Sequence, residues 1–207
     1  TILLHSFSKA MLSQVSVKTV ELHSADIKAG HPNFTVKQRV DKIEQQLKQI
    51  NLPFEISSED TLALTYFDGI AASEDFFTQA LYKSKQFPCF FVGGSAGGKL
   101  DFQGADLSLN GQSQPNKAIL CFCKVSSDFR FGLMKSHNFV PTGTSFTVVD
   151  FDPLTRTLHS VLDHNMEIKS PAQFLSEHFG CTDEQLEQKL LQHSFGISIE
   201  NNIYIRS

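Results

Sequence analysis

The sequence has no tryptophan, and it also lacks the features that mark several large classes of protein. No run of 18 apolar residues occurs, so we expect no membrane-spanning helix and no membrane contact by this segment. A surplus of basic residues is missing too, because 18 Lys and Arg stand against 22 Asp and Glu. A sequence-independent nucleic-acid clamp needs such a surplus in clusters, so we expect no nucleic-acid partner.

The usual metal-binding spacings are also absent. The eight histidines include no H-x-x-x-H pair, and the four cysteines include no C-x-x-C pair. We expect these cysteines to be reduced and mostly buried, as is typical of a cytoplasmic protein: Cys89, Cys121, Cys123 and Cys181. In a strand, Cys121 and Cys123 would share one face, so a redox pair is the alternative to simple packing.

The two ends of the sequence indicate a fragment. The first residues have neither a basic n-region nor a small-residue cleavage site, so we expect no signal peptide. The sequence does not begin with Met, and it stops directly after a strand-like run at residues 202–207. We therefore expect the chain to belong to a longer protein.

Phenylalanine is the residue type in excess. The chain has 19 Phe but 3 Tyr, and Phe has no polar group to satisfy. We expect most of these rings in the hydrophobic core, and the alternative is an aromatic pocket for a flat apolar ligand.

Periodicity predicts an α/β fold, with a mixed, largely antiparallel sheet flanked by about four helices. The clearest helix is at residues 36–50, where apolar residues recur every three or four positions and charged residues, including Arg39 and Glu44, form the other face. Further helices are expected at residues 73–85, with Ser73 as N-cap, and at residues 171–180 and 183–190. Strands are expected at residues 61–67, 89–92, 118–125, 129–134, 146–149 and 157–162, with hairpins around residues 110–111 and 201–202.

A glycine-rich segment follows the predicted buried strand 89–92. Residues 93–97 match G-x-S-x-G, the nucleophile elbow, which makes a serine hydrolase using Ser95 one alternative. An elbow has to lead into a helix, whereas residues 98–112 read as loop and hairpin. We therefore expect a glycine turn that lets backbone approach a neighbour or a ligand. A phosphate cradle is a weaker reading, since no Lys-Ser/Thr pair follows.

A single histidine is enough to ligate haem iron without any motif. His137 lies between a predicted strand and the turn at residues 139–143, so it is the first choice for such a ligand. The alternative function is then a haem-binding nitric oxide sensor.

Three stretches in order carry a family resemblance. Residues 67–75 resemble a D-G-L-x-x-S-E turn into a helix, and residues 91–97 resemble a strand ending in GGSAG. The third stretch is residues 137–143, followed by Thr147-Val148 and Pro171-Ala172. Together they resemble the N-terminal half of a FIST domain, a sensory input module of bacterial signal transduction. The resemblance covers residues 35–206. We therefore expect residues 1–34 to be an N-terminal extension packed on a sensory domain at residues 35–207.

The resemblance implies a function without catalysis. It implies a cytoplasmic domain that binds a small ligand in front of a chemotaxis transducer, histidine kinase or cyclic-dinucleotide output domain, with no cofactor unless haem is bound. The partners implied are that ligand, a C-terminal FIST half and the output domain in the same chain, and a homodimer is left open. Relatives often have an acidic residue where this chain has Gly98. The expected ligand-binding residues are Asp68, Gly93, Gly94, Ser95, Ala96, Gly97, His137, Asn138 and Phe139.

Overall fold

The computed structural model describes residues 6–69, 71, 73–97, 107–134, 136–200 and 202–206. Two predictions concern positions outside these residues: the position of Gly98, where relatives often have an acidic residue, and Asn201 in the turn of the last hairpin. The chain divides into two compact units, Thr1–Gly132 and Leu133–Ser207. Each unit is considered by itself.

The first unit contains six strands and three helices among its described residues. In chain order these are β1 (Leu12–Glu21), α1 (Ala25–Lys28), α2 (Val36–Lys48), β2 (Thr61–Asp68), α3 (Glu74–Ser84), β3 (Phe90–Ala96), β4 (Ser108–Leu109), β5 (Gln112–Ser113) and β6 (Lys117–Val125).

Four of these strands form one mixed sheet in the order β1-β6-β2-β3. β6 runs antiparallel to both β1 and β2, whereas β3 runs parallel to β2. Helix α3 connects the parallel pair, as a crossover between parallel strands requires. The mixed sheet and the helices confirm the predicted fold class. The segment expected as an N-terminal extension supplies β1, an edge strand of this sheet.

One face of the sheet is buried, and the other, the open face, is only partly covered. On the buried face, the ring of Phe67 in β2 contacts that of Phe77 in α3, with centroids 5.1 Å apart. Ala63 and Leu120 on this face are fully buried. On the opposite face, apolar side chains of β1, β2 and β3 stay 38–50% exposed, namely Val15, Val17, Tyr66, Phe90 and Val92.

Helix α2 forms as its periodicity predicts. Thr35 caps it, since its hydroxyl accepts from the Gln38 amide and the Gln38 side chain accepts from the Thr35 amide in return. The expectation that Arg39 and Glu44 lie on a solvated face is wrong, because both are buried. Arg39 is held there by a carboxylate and by backbone carbonyl groups, which accept from Nη1 and Nη2, whereas its buried Nε has no hydrogen-bond partner among the described residues.

Two expectations around the glycine segment are also wrong. Gly93 to Ala96 are not a loop, because β3 continues through them and stays paired with β2 as far as Asp68 and Ala96. β3 is also largely exposed rather than buried, since it is the edge strand of the sheet. At the start of α3, Ser73 does not cap the helix, because its hydroxyl donates to the Ala71 carbonyl at 2.7 Å.

The second unit contains five strands and two helices among its described residues. They are β7 (Thr147–Asp152), β8 (Thr157–Leu162), β9 (Ile168–Lys169), α4 (Pro171–Phe179), α5 (Asp183–Leu190), β10 (Phe195–Ile199) and β11 (Asn202–Arg206). β7, β8 and β9 form an antiparallel sheet, and β10 and β11 form the predicted closing hairpin. Ser170 caps α4, and Gly180 ends it in the left-handed conformation.

Lys169 connects the small sheet of this unit to α4. Its ammonium group contacts the carboxylates of Glu177 at 2.8 Å, Asp163 at 2.9 Å and Glu167 at 3.2 Å. Hydrogen bonds to these groups, above all Glu177, hold the pKa of Lys169 above its usual value. The Lys169 ammonium lowers the pKa of Asp163 to about 2.

Two further sequence expectations fail. No strand forms at residues 129–134, which follow an irregular path, because no neighbouring strand pairs with them in the described sheets. The phenylalanines divide between core and surface: Phe76, Phe122 and Phe174 are buried, but Phe90 and Phe151 are 47% and 56% exposed. Within the described ranges, no helix has the length and apolar character needed to cross a membrane.

Candidate functional site at the carboxyl edge of the parallel strands

The parallel pair gives the first unit a distinctive edge. Because β2 and β3 run in the same direction, their carboxyl ends meet at one edge of the sheet, and α3 begins at that edge directly after β2. The carboxyl ends of parallel strands and the first turn of the connecting helix are where α/β folds place ligands. The predicted residues Asp68 and Gly93 to Gly97 lie at this edge or lead to it.

Asp68 ends β2 and is 2% exposed. Its carboxylate accepts a hydrogen bond of 2.7 Å from the backbone amide of Asn116, the residue before β6. Asn116 has a positive φ of 54°, and its carbonyl accepts from the Leu22 amide. Asp68 therefore fixes the turn that enters β6 as well as lying at the edge.

Ser95 makes a contact that the sequence does not suggest. Its hydroxyl donates to a carboxylate oxygen of Glu74 in the first turn of α3. Glu74 thus connects β3 to the beginning of the helix. Side chains alternate between the two faces of a strand. Ser95 is beside Phe67 and therefore lies on the side of the sheet that faces α3, whereas Asp68 and Ala96 lie on the other side.

The glycines of this edge fall into two pairs. Gly69 and Gly93 have no room for a side chain. A Cβ atom at Gly69 would lie 2.0 Å from the carbonyl oxygen of Ala96, and a Cβ atom at Gly93 would lie 1.6 Å from the carbonyl oxygen of Thr65. Gly94 and Gly97 face open space, since a Cβ atom at either would meet no atom within 4 Å. The first pair serves the fold, and the second leaves exposed backbone that a ligand can approach.

The side chains at this edge are rich in hydrogen-bond acceptors. The carboxylate of Glu74 lies there on the helix side of the sheet. The carboxylate of Asp68 lies on the other side with Asn116, whose side-chain oxygen is buried and has no hydrogen-bond partner among the described residues. A set of acceptors at one edge suits a ligand with several N–H or O–H donors, above all a cationic ammonium group.

The surroundings of Ser95 differ from those of a serine nucleophile. Ser95 lies inside β3 and not on a turn between a strand and a helix. Its hydroxyl group donates a hydrogen bond to a carboxylate, whereas a serine nucleophile donates to an imidazole. Among the described residues, no group of three His, Cys, Asp or Glu side chains is arranged to hold a metal ion.

His137, Asn138 and Phe139 belong to the second unit. They lie on an irregular segment and are exposed, and the rings of His137 and Phe139 are 6.3 Å apart. An exposed imidazole on an irregular segment does not make the enclosed apolar pocket that haem requires, so we derive no function through haem. The roles of these three residues remain predictions.

The first unit also contains a small apolar cavity of about 90 Å³ beside the open face of the sheet. Its lining includes Leu62, Leu64, Cys123, Phe129, Arg130 and Phe131. Phe129 and Phe131, in the segment that was predicted as a strand, thus help to line this cavity.

Sequence reasoning missed Glu74 and Asn116 as members of the candidate site. Glu74 belongs to the D-G-L-x-x-S-E stretch that carries the family resemblance, but nothing in that stretch indicates its contact with Ser95 of β3. Asn116 has no local signal at all, because its contact with Asp68 joins residues 48 positions apart.

Comparison with known proteins gives one family. No significant match was found among curated proteins or among solved structures. The family model described as the FIST N domain matches residues 3–158, which include β1 and the whole candidate edge. A match over that share of the sequence confirms the resemblance, and the chain belongs to the FIST family of signal-transduction sensory domains.

Proposed function

We propose that this chain is the ligand-binding part of a signal-transduction sensor and that its ligand binds at the carboxyl edge of β2 and β3. The observation that supports this most is the Ser95–Glu74 hydrogen bond beside the open backbone of Gly94 and Gly97. It brings a carboxylate, a hydroxyl group and unobstructed main chain to one edge of the sheet.

The chemistry of this edge favours a small ligand with an ammonium group, such as an amino acid. Glu74 supplies a carboxylate for the ammonium group on the helix side of the sheet, and a carboxylate on the ligand would accept from backbone N–H groups near the first turn of α3. Such a ligand needs no turnover, so the protein acts by binding alone.

Signalling follows if the ligand prefers one of two conformations. Binding then shifts their populations by the difference in affinity, and an attached region responds to that shift. In this proposal the domain is cytoplasmic and bacterial, and its output region is a chemotaxis transducer, a histidine kinase or a cyclic-dinucleotide enzyme. A C-terminal FIST half would complete the sensor.

Calorimetric titration of the chain with a panel of amino acids and small amines tests the proposal. We expect at least one amino acid to bind. Glu74→Gln should weaken that binding at least tenfold, since it replaces a charged acceptor of an ammonium group by a neutral one. Gly97→Val should weaken it as well, because a side chain there fills the open space beside the main chain directly after β3.

Asp75→Asn is the matched control for Glu74→Gln, because both acids lie in the first turn of α3 and contribute alike to the helix dipole. We expect Asp75→Asn to change the affinity less than twofold. An equal loss in both variants, or no heat with any compound of the panel, would contradict the proposed site.

The hydrolase alternative has a separate test. Hydrolysis of activated esters by the chain, abolished by Ser95→Ala, would establish it. Equal rates in the two proteins would eliminate it.

A further inference from the structure

Cys121 and Cys123 lie next to each other on the open face of the sheet. Both belong to β6, and Cys121 is opposite Val17 of β1 and Leu64 of β2. This face is the one opposite to α3, and the apolar side chains around the pair are partly exposed. Cys121 is half-buried, whereas Cys123 is 5% exposed.

The two sulfur atoms are in contact. Their Sγ atoms are 3.7 Å apart, which is within hydrogen-bond distance for thiols. The hydrogen bond from Cys123 lowers the pKa of the Cys121 thiol to about 7, and the same contact together with burial raises the pKa of Cys123. The isolated Cys89 shows the contrast, because burial raises the pKa of its thiol to about 11.

We infer that Cys121 and Cys123 form a redox-active dithiol that a hydroperoxide converts into an intramolecular disulfide. The more accessible Cys121 is the attacking thiolate, and the buried Cys123 is the resolving thiol. An accessible thiolate beside a resolving cysteine is the arrangement of redox-sensing sites.

The reaction proceeds in two steps. The Cys121 thiolate attacks the terminal oxygen of the hydroperoxide, so a sulfur–oxygen bond forms, the O–O bond breaks, and an alkoxide leaves and takes up a proton as the alcohol. The Cys123 sulfur then attacks the sulfenic sulfur of Cys121, and the S–S bond forms while the hydroxyl group leaves with the Cys123 proton as water. Two thiols are oxidised by two electrons, and one hydroperoxide is reduced to alcohol and water.

The bridge requires a local bend of β6. Residues two apart in a strand have Cα atoms roughly 6.5 Å apart, near the upper end of the range that disulfides span, and their Cβ atoms are about as far apart, whereas a disulfide holds Cβ atoms about 3.8 Å apart. A bridge formed by bending the strand is strained, and strain makes a disulfide easier to reduce. We therefore expect the oxidation to be reversible and to change the backbone of β6 around Cys121 and Cys123.

The cavity gives the oxidation a structural consequence. Cys123 lines the 90 Å³ cavity together with Leu62 and Leu64. Bridging draws the Cys123 sulfur toward Cys121 and so alters the cavity wall.

The test begins with the unmodified chain. Stoichiometric cumene hydroperoxide should remove two free thiols, and peptide mapping without reductant should find a Cys121–Cys123 disulfide that dithiothreitol reverses. At pH 7, alkylation of Cys121 should be about 50 to 100 times faster than that of Cys89, because far more of it is thiolate although each thiolate is less nucleophilic.

Variants separate the two roles. Cys123→Ser should leave a sulfenic acid at Cys121 that dimedone traps, and the matched control Cys181→Ser should form the bridge as the unmodified chain does. Oxidation of the unmodified chain to sulfinic acid or to linked dimers without the internal bridge would overturn the inference. Alkylation of Cys121 no faster than that of Cys89 would overturn it as well.

Discussion

At the scale of the residue, the buried Arg39 shows how one charged side chain organises a loop. Its guanidinium group donates to both carboxylate oxygens of Asp26, at 2.8 and 2.7 Å, and to the carbonyl groups of His23 and Phe34. The side chain of Arg39 is fully buried. α1 and the segment that follows it are thereby fixed to α2.

Asp26→Asn is expected to destabilise the protein by about 3 kcal/mol at pH 7, because it leaves the buried guanidinium without its counter-charge. Equilibrium unfolding in urea measures the loss. Asp41→Asn is the control, since Asp41 pairs with Lys37 and Lys83 at the surface, and its loss should be much smaller. Equal losses in both variants would contradict the role of the buried pair.

The same pair predicts a pH dependence. The hydrogen bonds from Arg39 hold the pKa of Asp26 well below its usual value. The stabilisation is therefore complete above the unfolded-state pKa of about 3.9 and is lost as the pH falls through the lower pKa of the folded state. The difference in unfolding free energy between the wild type and Asp26→Asn should narrow below about pH 4. A constant difference down to pH 3 would show that the carboxylate charge is not its source.

At the scale of the element, the sequence predicts best where burial imposes a period. α2, β2 and β6 form where expected because each buries a regular set of apolar side chains. Only the first part of β3 was predicted from the sequence. Its second part is rich in glycine and exposed, so it has no regular repeat of apolar side chains. Its pairing with β2 determines its length, and that pairing is a non-local property.

Turn chemistry was predicted more reliably than capping by a single side chain. Asn110 and Gly111 both have positive φ, at 51° and 79°, as the hairpin signal requires. Ser73 precedes a helix as a cap would, yet its hydroxyl bonds the Ala71 carbonyl instead. Which of two nearby backbone groups a serine contacts depends on tertiary context, and the sequence does not encode it locally.

The end of α4 provides a prediction at this scale. Gly180 has φ of +60°, and a side chain there would meet no atom within 4 Å, so only its backbone conformation is at stake. Gly180→Ala should cost about 1 kcal/mol, because alanine is strained in the left-handed region. Thermal unfolding measures it. Gly132→Ala, which also faces open space without a positive φ, should cause no loss. A loss in both would point to another cause.

At the scale of the whole molecule, the candidate edge could be anticipated only in part. Asp68 and the glycine segment were found from the residues that carry the family resemblance, which the family match confirms. Glu74 could not be assigned to the site, because its role depends on the parallel alignment of β2 and β3. The sites predicted in the second unit, at His137 to Phe139, remain untested.

The two units differ greatly in how much apolar surface they bury. Most of the buried apolar side chains of the described residues lie in Thr1–Gly132, where the mixed sheet packs on α2 and α3. Among the described residues of Leu133–Ser207, three apolar side chains are buried, namely Val161, Phe174 and Leu186. A core of that size rarely supplies the free energy that a separate fold needs.

This asymmetry predicts that the units do not fold equally well alone. A chain of residues 1–132 should unfold cooperatively in urea, with far-ultraviolet circular dichroism and a buried-Phe near-ultraviolet signal that change together. Residues 133–207 alone should show no cooperative transition, since about three buried side chains worth roughly 1.5–3 kcal/mol each do not offset the entropy of ordering 75 residues. A cooperative transition of residues 133–207 would mean that Lys169 and its three carboxylates stabilise this unit far more than surface ion pairs usually do. Lys169→Met would then abolish that transition.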